Sequence, residues 1–311
     1  MIQGWELCSR YCDQGGASMA KGYGKRMGDR KEGRRLRGLN ASAALLPYVM
    51  RRRSDACNSY DDALEVTEIE QWLLQKRAEG SRGLNLTHLM VAAYVRTVSM
   101  RPGVNRFVSG SRVFARSGIQ VVLRIPRGMD SDAPWTSIKV SCSPTDTIYD
   151  VYRRVSDAVD EVQAGTGESA YDRLAASVAR LPRGALRFLF FLLRWLDYHD
   201  WLPQSLLDAS PYHGSLSICD TGSLGIEPVT HHIYDFGNLP VYLSFGAKHR
   251  RYEYDREGQL VERHFVDYRI TSDERIADGS TCADALKCMK YFLKNPQLLE
   301  QPPETVEDDI N

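Results

Sequence analysis

Asp273-Glu274-Arg275-Ile276-Ala277-Asp278-Gly279 is the stretch from which the rest of the chain is read. It follows a strand-like run, Leu260–Thr271, and precedes a helix predicted over Ser280–Lys294. In that helix Ala283, Leu286, Met289, Phe292 and Leu293 share one face, and Pro296 marks the stop. Upstream, Ser215–Cys219, Val241–Ala247 and Arg251–Asp255 read as further strands, and Asp255-Arg256-Glu257-Gly258 supplies a hairpin turn. The C-terminal third is therefore strand-rich and closed by one amphipathic helix.

Toward the N-terminus the periods alternate. The pattern predicts a strand over Asp62–Val66 and a helix over Glu68–Ala78, with Thr67 and Glu70 as a capping box. Leu86–Met100 is a helix with Leu89, Ala92, Ala93, Val95 and Val98 in a stripe, Thr87 as its cap and Pro102-Gly103 as its stop. Ile119–Ile125 and Trp135–Ser141 read as strands, and Pro144–Gln163 as a helix with Asp146 in its first turn. A longer helical region spans Tyr171–Asp200, broken near Pro182-Arg183-Gly184.

Composition bounds the class. The chain has 311 residues, 43% of them hydrophobic, and a formal net charge of zero, which argues against nucleic acid as a partner. The longest apolar run, Phe188–Leu193, ends at Arg194 and is too short to be a transmembrane segment. It reads as a buried helix face or an oligomer contact, with a membrane-surface helix as the other reading. The seven cysteines lack a Cys-x-x-Cys pair, and no basic-then-apolar leader opens the chain; both place the protein in a reducing, cytoplasmic compartment. Residues 1–36, with eight basic residues between Lys21 and Arg37, read as a flexible basic arm. Residues 37–300 form one α/β-type domain, and 301–311 an acidic disordered tail.

Four segments together resemble the catalytic domain of the 2-oxoacid dehydrogenase acyltransferases, within the chloramphenicol acetyltransferase-like superfamily. Leu86–Leu89 through Pro102-Gly103-Val104-Asn105-Arg106-Phe107 is similar to that family's helix and Pro-x-x-Asn turn. Ser215–Gly225 is similar to its Thr-Ile-Ser-Asn-x-Gly strand and loop, and Tyr242–Gly246 to the strand that follows. Asp273–Gly279 is similar to its Asp-His-Arg-x-x-Asp-Gly signature, with Glu274 where the family carries histidine. The resemblance covers residues 37–300 and implies an α/β two-layer acyltransferase fold, a large mixed sheet with flanking helices, assembled as a homotrimer. No lipoyl-lysine or subunit-binding segment is visible, so a free-standing domain is expected.

The resemblance also implies a reaction. An acyl group passes from an acyl-CoA or other thioester to an acceptor that the sequence does not name, with no permanently bound cofactor. Glu274 takes the general-base position. Cys219, with Ser217 two residues away on the same strand face, takes the oxyanion-donor position. Asp278 orders the loop, and Gly279 lets the helix start close against the strand. Glutamate is a weaker base than histidine by roughly 2 pKa units in water, and a thiol is a weaker donor than a hydroxyl. The alternatives are a Glu274–Arg275 salt bridge without chemistry, in a degenerate scaffold or acyl-CoA-binding protein, or a base drawn from His231-His232. A metal site at those two histidines lacks companion ligands at helical spacing. Cys219 as an acyl-enzyme nucleophile is a further alternative. His88, His199, His213, His249 and His264 carry no pattern of their own.

Overall fold

The computed structural model describes residues 26–126, 135–164, 169–255 and 257–310. In chain order these give β1 (Gly33–Arg35), α1 (Ala41–Val49), β2 (Cys57–Glu65), α2 (Thr67–Ala78), α3 (Leu86–Met100), β3 (Arg106–Ser109), β4 (Arg112–Arg116), β5 (Ile119–Pro126) and β6 (Trp135–Cys142). There follow α4 (Ile148–Ala164), α5 (Ala170–Val178), α6 (Arg183–Tyr198), α7 (Gln204–Ala209), β7 (Leu216–Asp220), β8 (Val241–Tyr254), β9 (Leu260–Asp273) and α8 (Gly279–Lys294). A six-stranded mixed sheet runs β2-β9-β8-β7-β5-β6, and a small sheet runs β1-β4-β3. β7 is parallel to both β5 and β8; the other pairings in the large sheet are antiparallel.

Side-chain alternation divides the large sheet into two faces. Val121, Leu123, Leu216, Ile218, Leu243 and Phe245 point into the main core, against α2, α3, α4 and α8. Helix α3 is buried from His88 to Ser99, as expected of a helix apolar on nearly all sides. On the opposite face Val122 and Tyr242 pack with Ile233 and Leu239 of the loop before β8, Tyr242 meets the His231 and Tyr234 rings, and Lys139 reaches Leu207 O of α7 (2.5 Å). The architecture is thus a large mixed sheet with flanking helices, its main helical layer on one side, as the resemblance implied.

Several boundaries move. Val241–Tyr254 is one continuous strand, bulged between Phe245 and Lys248 rather than broken. Helix α3 is capped by Asn85, not Thr87: the Asn85 side chain accepts from the His88 N–H (3.3 Å), and the Asn85 N–H donates to His88 Nδ1 (3.2 Å). Helix α2 has no side-chain cap, because Thr67 Oγ1 accepts from the His264 N–H (2.9 Å) instead.

Both expected tails are corrected in part. Residues 1–25 lie outside the described residues, but Arg26–Leu36 belong to the fold: Gly33–Arg35 pair with Phe114–Arg116, and Arg30 binds Asp197 (2.8 Å). The 301–310 segment is tied down. The Glu307 N–H donates to Ser99 O (2.7 Å), Arg106 holds the Asp309 carboxylate through two nitrogens, and Arg34 donates to Ile310 O (2.7 Å). Helix α6 has no buried residue; Phe188, Phe191 and Tyr198 are each more than 60% exposed, so the buried-face reading fails within the single chain. No helix among the described residues is long and apolar enough to cross a membrane.

Candidate active site

Strand β9 ends at Asp273, which is fully buried and donates its N–H to Pro240 O (2.9 Å). Its carboxylate accepts from Arg275 Nε (2.8 Å), Nη2 (2.7 Å) and the Arg275 backbone N–H (3.1 Å). Arg53 Nε stands 3.6 Å from the same carboxylate, and the rest of its guanidinium donates to Gly237 O (2.5 Å) and Leu239 O. Arg275 completes the clamp by donating to Met50 O (3.1 Å). The expected Glu274–Arg275 bridge is therefore absent, because Arg275 is turned inward onto Asp273. Glu274 is left facing outward. It is exposed, its N–H donates to Ala56 O (2.9 Å), and among the described residues no hydrogen bond or ion pair engages its carboxylate.

The second half of the signature starts α8. Asp278 is its N-cap, accepting from the Thr281 N–H (2.8 Å) and from Ser280 Oγ (2.9 Å). Hydrogen bonds from Thr281 and then Ser280 hold its carboxyl below the ordinary value. Gly279 does not act as expected. A Cβ built there meets nothing within 4 Å, so no close approach to the strand within the chain requires a glycine.

Ser217 and Cys219 lie on β7, half-buried, on the sheet face away from α3. In register, Ser217 is beside Tyr242 and Cys219 beside Ser244, whose hydroxyl donates to Val229 O (2.6 Å) and pins the loop above. The Cys219 thiol is pushed up from its ordinary value by burial; Arg124 pulls it partway back and Asp220 adds to the rise. A thiol so placed is mostly protonated at neutral pH, which disfavours a nucleophilic role. Iodoacetamide should alkylate Cys219 at pH 7.5 more slowly than it alkylates a small free thiol, read by peptide mass mapping. A faster rate would restore the acyl-enzyme alternative.

His231 is half-buried with its ring 5.9 Å from that of Tyr242, while His232 is exposed. Burial, then Arg124 and His232, push the His231 imidazole down, favouring its neutral form, and Nε2 is buried without a hydrogen-bond partner. His231 thus sits on the same sheet face as Ser217 and Cys219. No group of three or more His, Cys, Asp or Glu among the described residues could hold a metal. Nothing in the sequence marked Ser210, His213 and Asp197, which line up at 2.8 Å and 3.6 Å. They are sealed: His213 is 1% exposed and Asp197 is committed to Arg30. They tie α6 to the segment before β7.

A single chain does not bring Glu274 to Cys219. Cys219 is opposite Ser244, Ser244 is opposite Arg269, and Glu274 lies five residues beyond Arg269. At about 3.3 Å per residue and about 4.8 Å between strands, the two backbones are roughly 19 Å apart.

No protein-family model matches the chain, and no curated protein matches it by sequence. Solved structures do. A probable dihydrolipoamide acetyltransferase from Listeria monocytogenes superposes with a TM-score of 0.52 at 13% identity, covering 83% of this chain and 93% of that one. A dihydrolipoamide acetyltransferase from Azotobacter vinelandii, studied for the roles of a serine, a histidine and an asparagine in catalysis, gives 0.54 at 11% identity and covers 90% and 95%. A chloramphenicol acetyltransferase gives 0.53 at 14% identity and covers 82% and 96%. The chain therefore has the chloramphenicol acetyltransferase-like acyltransferase fold. Its fold neighbours are acyltransferases, among them the cubic core of a pyruvate dehydrogenase complex.

Proposed function

We propose that this protein transfers an acyl group from a CoA-type thioester to a thiol or hydroxyl acceptor, in a site shared between copies of a homotrimer. The observation that carries the reading is the separation just derived. Glu274 is presented outward on a clamped loop, and Ser217 and Cys219 lie half-buried on the sheet face away from α3. The two halves meet only if one copy's loop approaches its neighbour's sheet.

In that site Glu274 takes the acceptor's proton as the acceptor attacks the thioester carbonyl. The Ser217 hydroxyl or Cys219 thiol donates to the oxyanion of the tetrahedral intermediate. Collapse expels the CoA thiolate, and the proton held by Glu274 passes to it, so charge and protons balance. Asp278 and the Asp273 clamp hold the loop through which Glu274 is presented.

The rival is a trimeric scaffold or acyl-CoA-binding protein without turnover. Two features favour it: a carboxylate stands in the histidine position, and the donor position at Cys219 holds a thiol, a weaker hydrogen-bond donor than a hydroxyl. Release of free CoA thiol from a panel of acyl-CoAs, with lipoamide, alcohols and amines as acceptors, separates the two. Turnover that Glu274→Gln lowers by about 10²-fold or more is the expected result. Turnover abolished by His231→Gln but not by Glu274→Gln would move the base to His231. Silence in the wild type with activity in Glu274→His would mean an intact pocket whose base is lost.

A further inference from the structure

A cavity of about 380 Å³ opens beside the signature loop and runs inward between α8 and the sheet. Its floor is Tyr94 and Thr97 of α3 with Val241 of β8, all buried, and Ile270 and Met289 form its walls. Its exposed rim runs from Asn58 and Gly279, beside the signature loop, to Tyr60 and Lys287, with Lys290 half-buried next to them. Ser272, Gly279 and Cys282, which bracket Glu274 on both sides in the chain, also line it. The Cys282 thiol is pushed up by burial; a Ser272 hydrogen bond opposes the rise, and the charges of Asp278 and Glu274 add to it. The wall of the cavity is thus within electrostatic reach of Glu274.

The hollow is half open to solvent, yet its lining is mainly apolar, a combination that suits an apolar ligand group with one end in water. A cavity of about 150 Å³ lined by apolar side chains stays dry and takes up benzene. At about two and a half times that volume, this one holds a chain of on the order of ten carbons. Gly279 belongs to the same account. A Cβ built there meets nothing within 4 Å, and Gly279 lines the cavity on its signature-loop side.

We infer that this cavity is the acyl-chain pocket, and that the substrate is a thioester bearing a linear, medium-length apolar chain rather than an acetyl group. The inference rests on the acyl-transfer reading above for the identity of the chain's carrier. Lys287 at the rim supplies a cation for an anionic head; it lies 3.8 Å from Asp284, both of them exposed, and Lys290 is already paired with Asp62.

Calorimetric titration of the full chain with decanoyl-CoA, acetyl-CoA and decanoate tests it. Each buried methylene is worth about fourfold in affinity, so decanoyl-CoA should bind at least about 100-fold tighter than acetyl-CoA, with a negative heat-capacity change. Ala283→Phe, which fills the cavity from α8, should remove that advantage and leave acetyl-CoA binding within about threefold. Ala283→Leu, a smaller intrusion, should shorten the preferred chain and covers the case in which the phenylalanine variant does not fold.

Equal affinity for the two thioesters, or an advantage untouched by both variants, overturns the pocket. Decanoate binding tighter than decanoyl-CoA overturns the thioester as its ligand. The failures are separable from that of the transfer reading. Turnover of acetyl-CoA without chain selectivity would sink the pocket alone, and chain-selective binding without turnover would sink the transferase alone.

Discussion

Asp273→Ala should lower the unfolding free energy by about 3–5 kcal/mol, the range for removing one partner of a buried ion pair. Asp273 is fully buried and is the single carboxylate between two arginines that are 7% and 4% exposed, Arg53 and Arg275. Burial pushes the Arg53 guanidinium below its ordinary value, Asp273 holds it up, and Arg275 and Arg116 push it down. With Asp273 gone the two guanidinium groups face each other in a poorly solvated interior. The hydrogen bonds to Met50 O, Gly237 O and Leu239 O then hold charges that nothing neutralises.

The clamp joins distant parts of the chain, namely the segment after α1, the loop before β8 and the end of β9, so its loss should be felt cooperatively. Urea denaturation gives the value directly from the shift in midpoint at constant slope. Asp278→Ala is the control from the same heptapeptide. It removes an exposed helix cap and should cost only about 1 kcal/mol. A loss below about 1 kcal/mol for Asp273→Ala would mean that the desolvation of three charges already offsets their attraction.

That contrast shows what a linear sequence discloses. Both aspartates were visible in the signature, and only Asp278 was read as ordering the loop; the buried clamp needs Arg53, which is 220 residues away and carries no local mark. The long elements were legible because period dominates them: α3 repeats its apolar stripe over 15 residues, and β9 turns Val266, Tyr268 and Ile270 inward in alternation. The β3–β4 hairpin was not. Its strands have four and five residues, and its turn sets Ser111 at φ 56° beside Gly110 at 55°, a conformation that serine does not advertise.

Docking of the C-terminal segment was equally hidden, since Arg106 and Asp309 meet across the fold while composition alone reads acid and proline as disorder. The candidate site divides the same way. Identity at Glu274, Cys219 and Asp278 could be carried across by motif. That Glu274 and Cys219 are strands apart in one subunit follows only from the order β9-β8-β7 and its register.

The second large effect is a pH dependence centred on His88. Burial, and after it the charge of Arg77, push this imidazole down to about 4. Its ordinary value is about 6.5, so the unfolded chain binds a proton over the interval between the two while the folded chain does not. Stability from this group is therefore complete above pH 6.5 and is lost as pH falls toward 4. Integrated to pH 5, where most carboxylates remain ionised, the loss is about 2 kcal/mol, approaching about 3 kcal/mol near pH 4.

The structural cause is specific. His88 Nδ1 accepts the Asn85 N–H at the start of α3, and the ring meets Tyr152 edge-on at 5.2 Å. A proton on Nδ1 turns that acceptor into a donor facing a donor, and it charges a ring packed under an aromatic. His88→Gln keeps an acceptor at the third helical position, where glutamine completes the same cap, but it cannot titrate. Denaturation of both proteins at pH 7.5 and pH 5 should show the wild type losing about 2 kcal/mol more than the variant. Since His231 is also held down by burial, the difference between the proteins is the quantity to read, not the wild-type slope. Parallel losses in the two would place the pH sensitivity elsewhere and leave His88 as a neutral packing residue only.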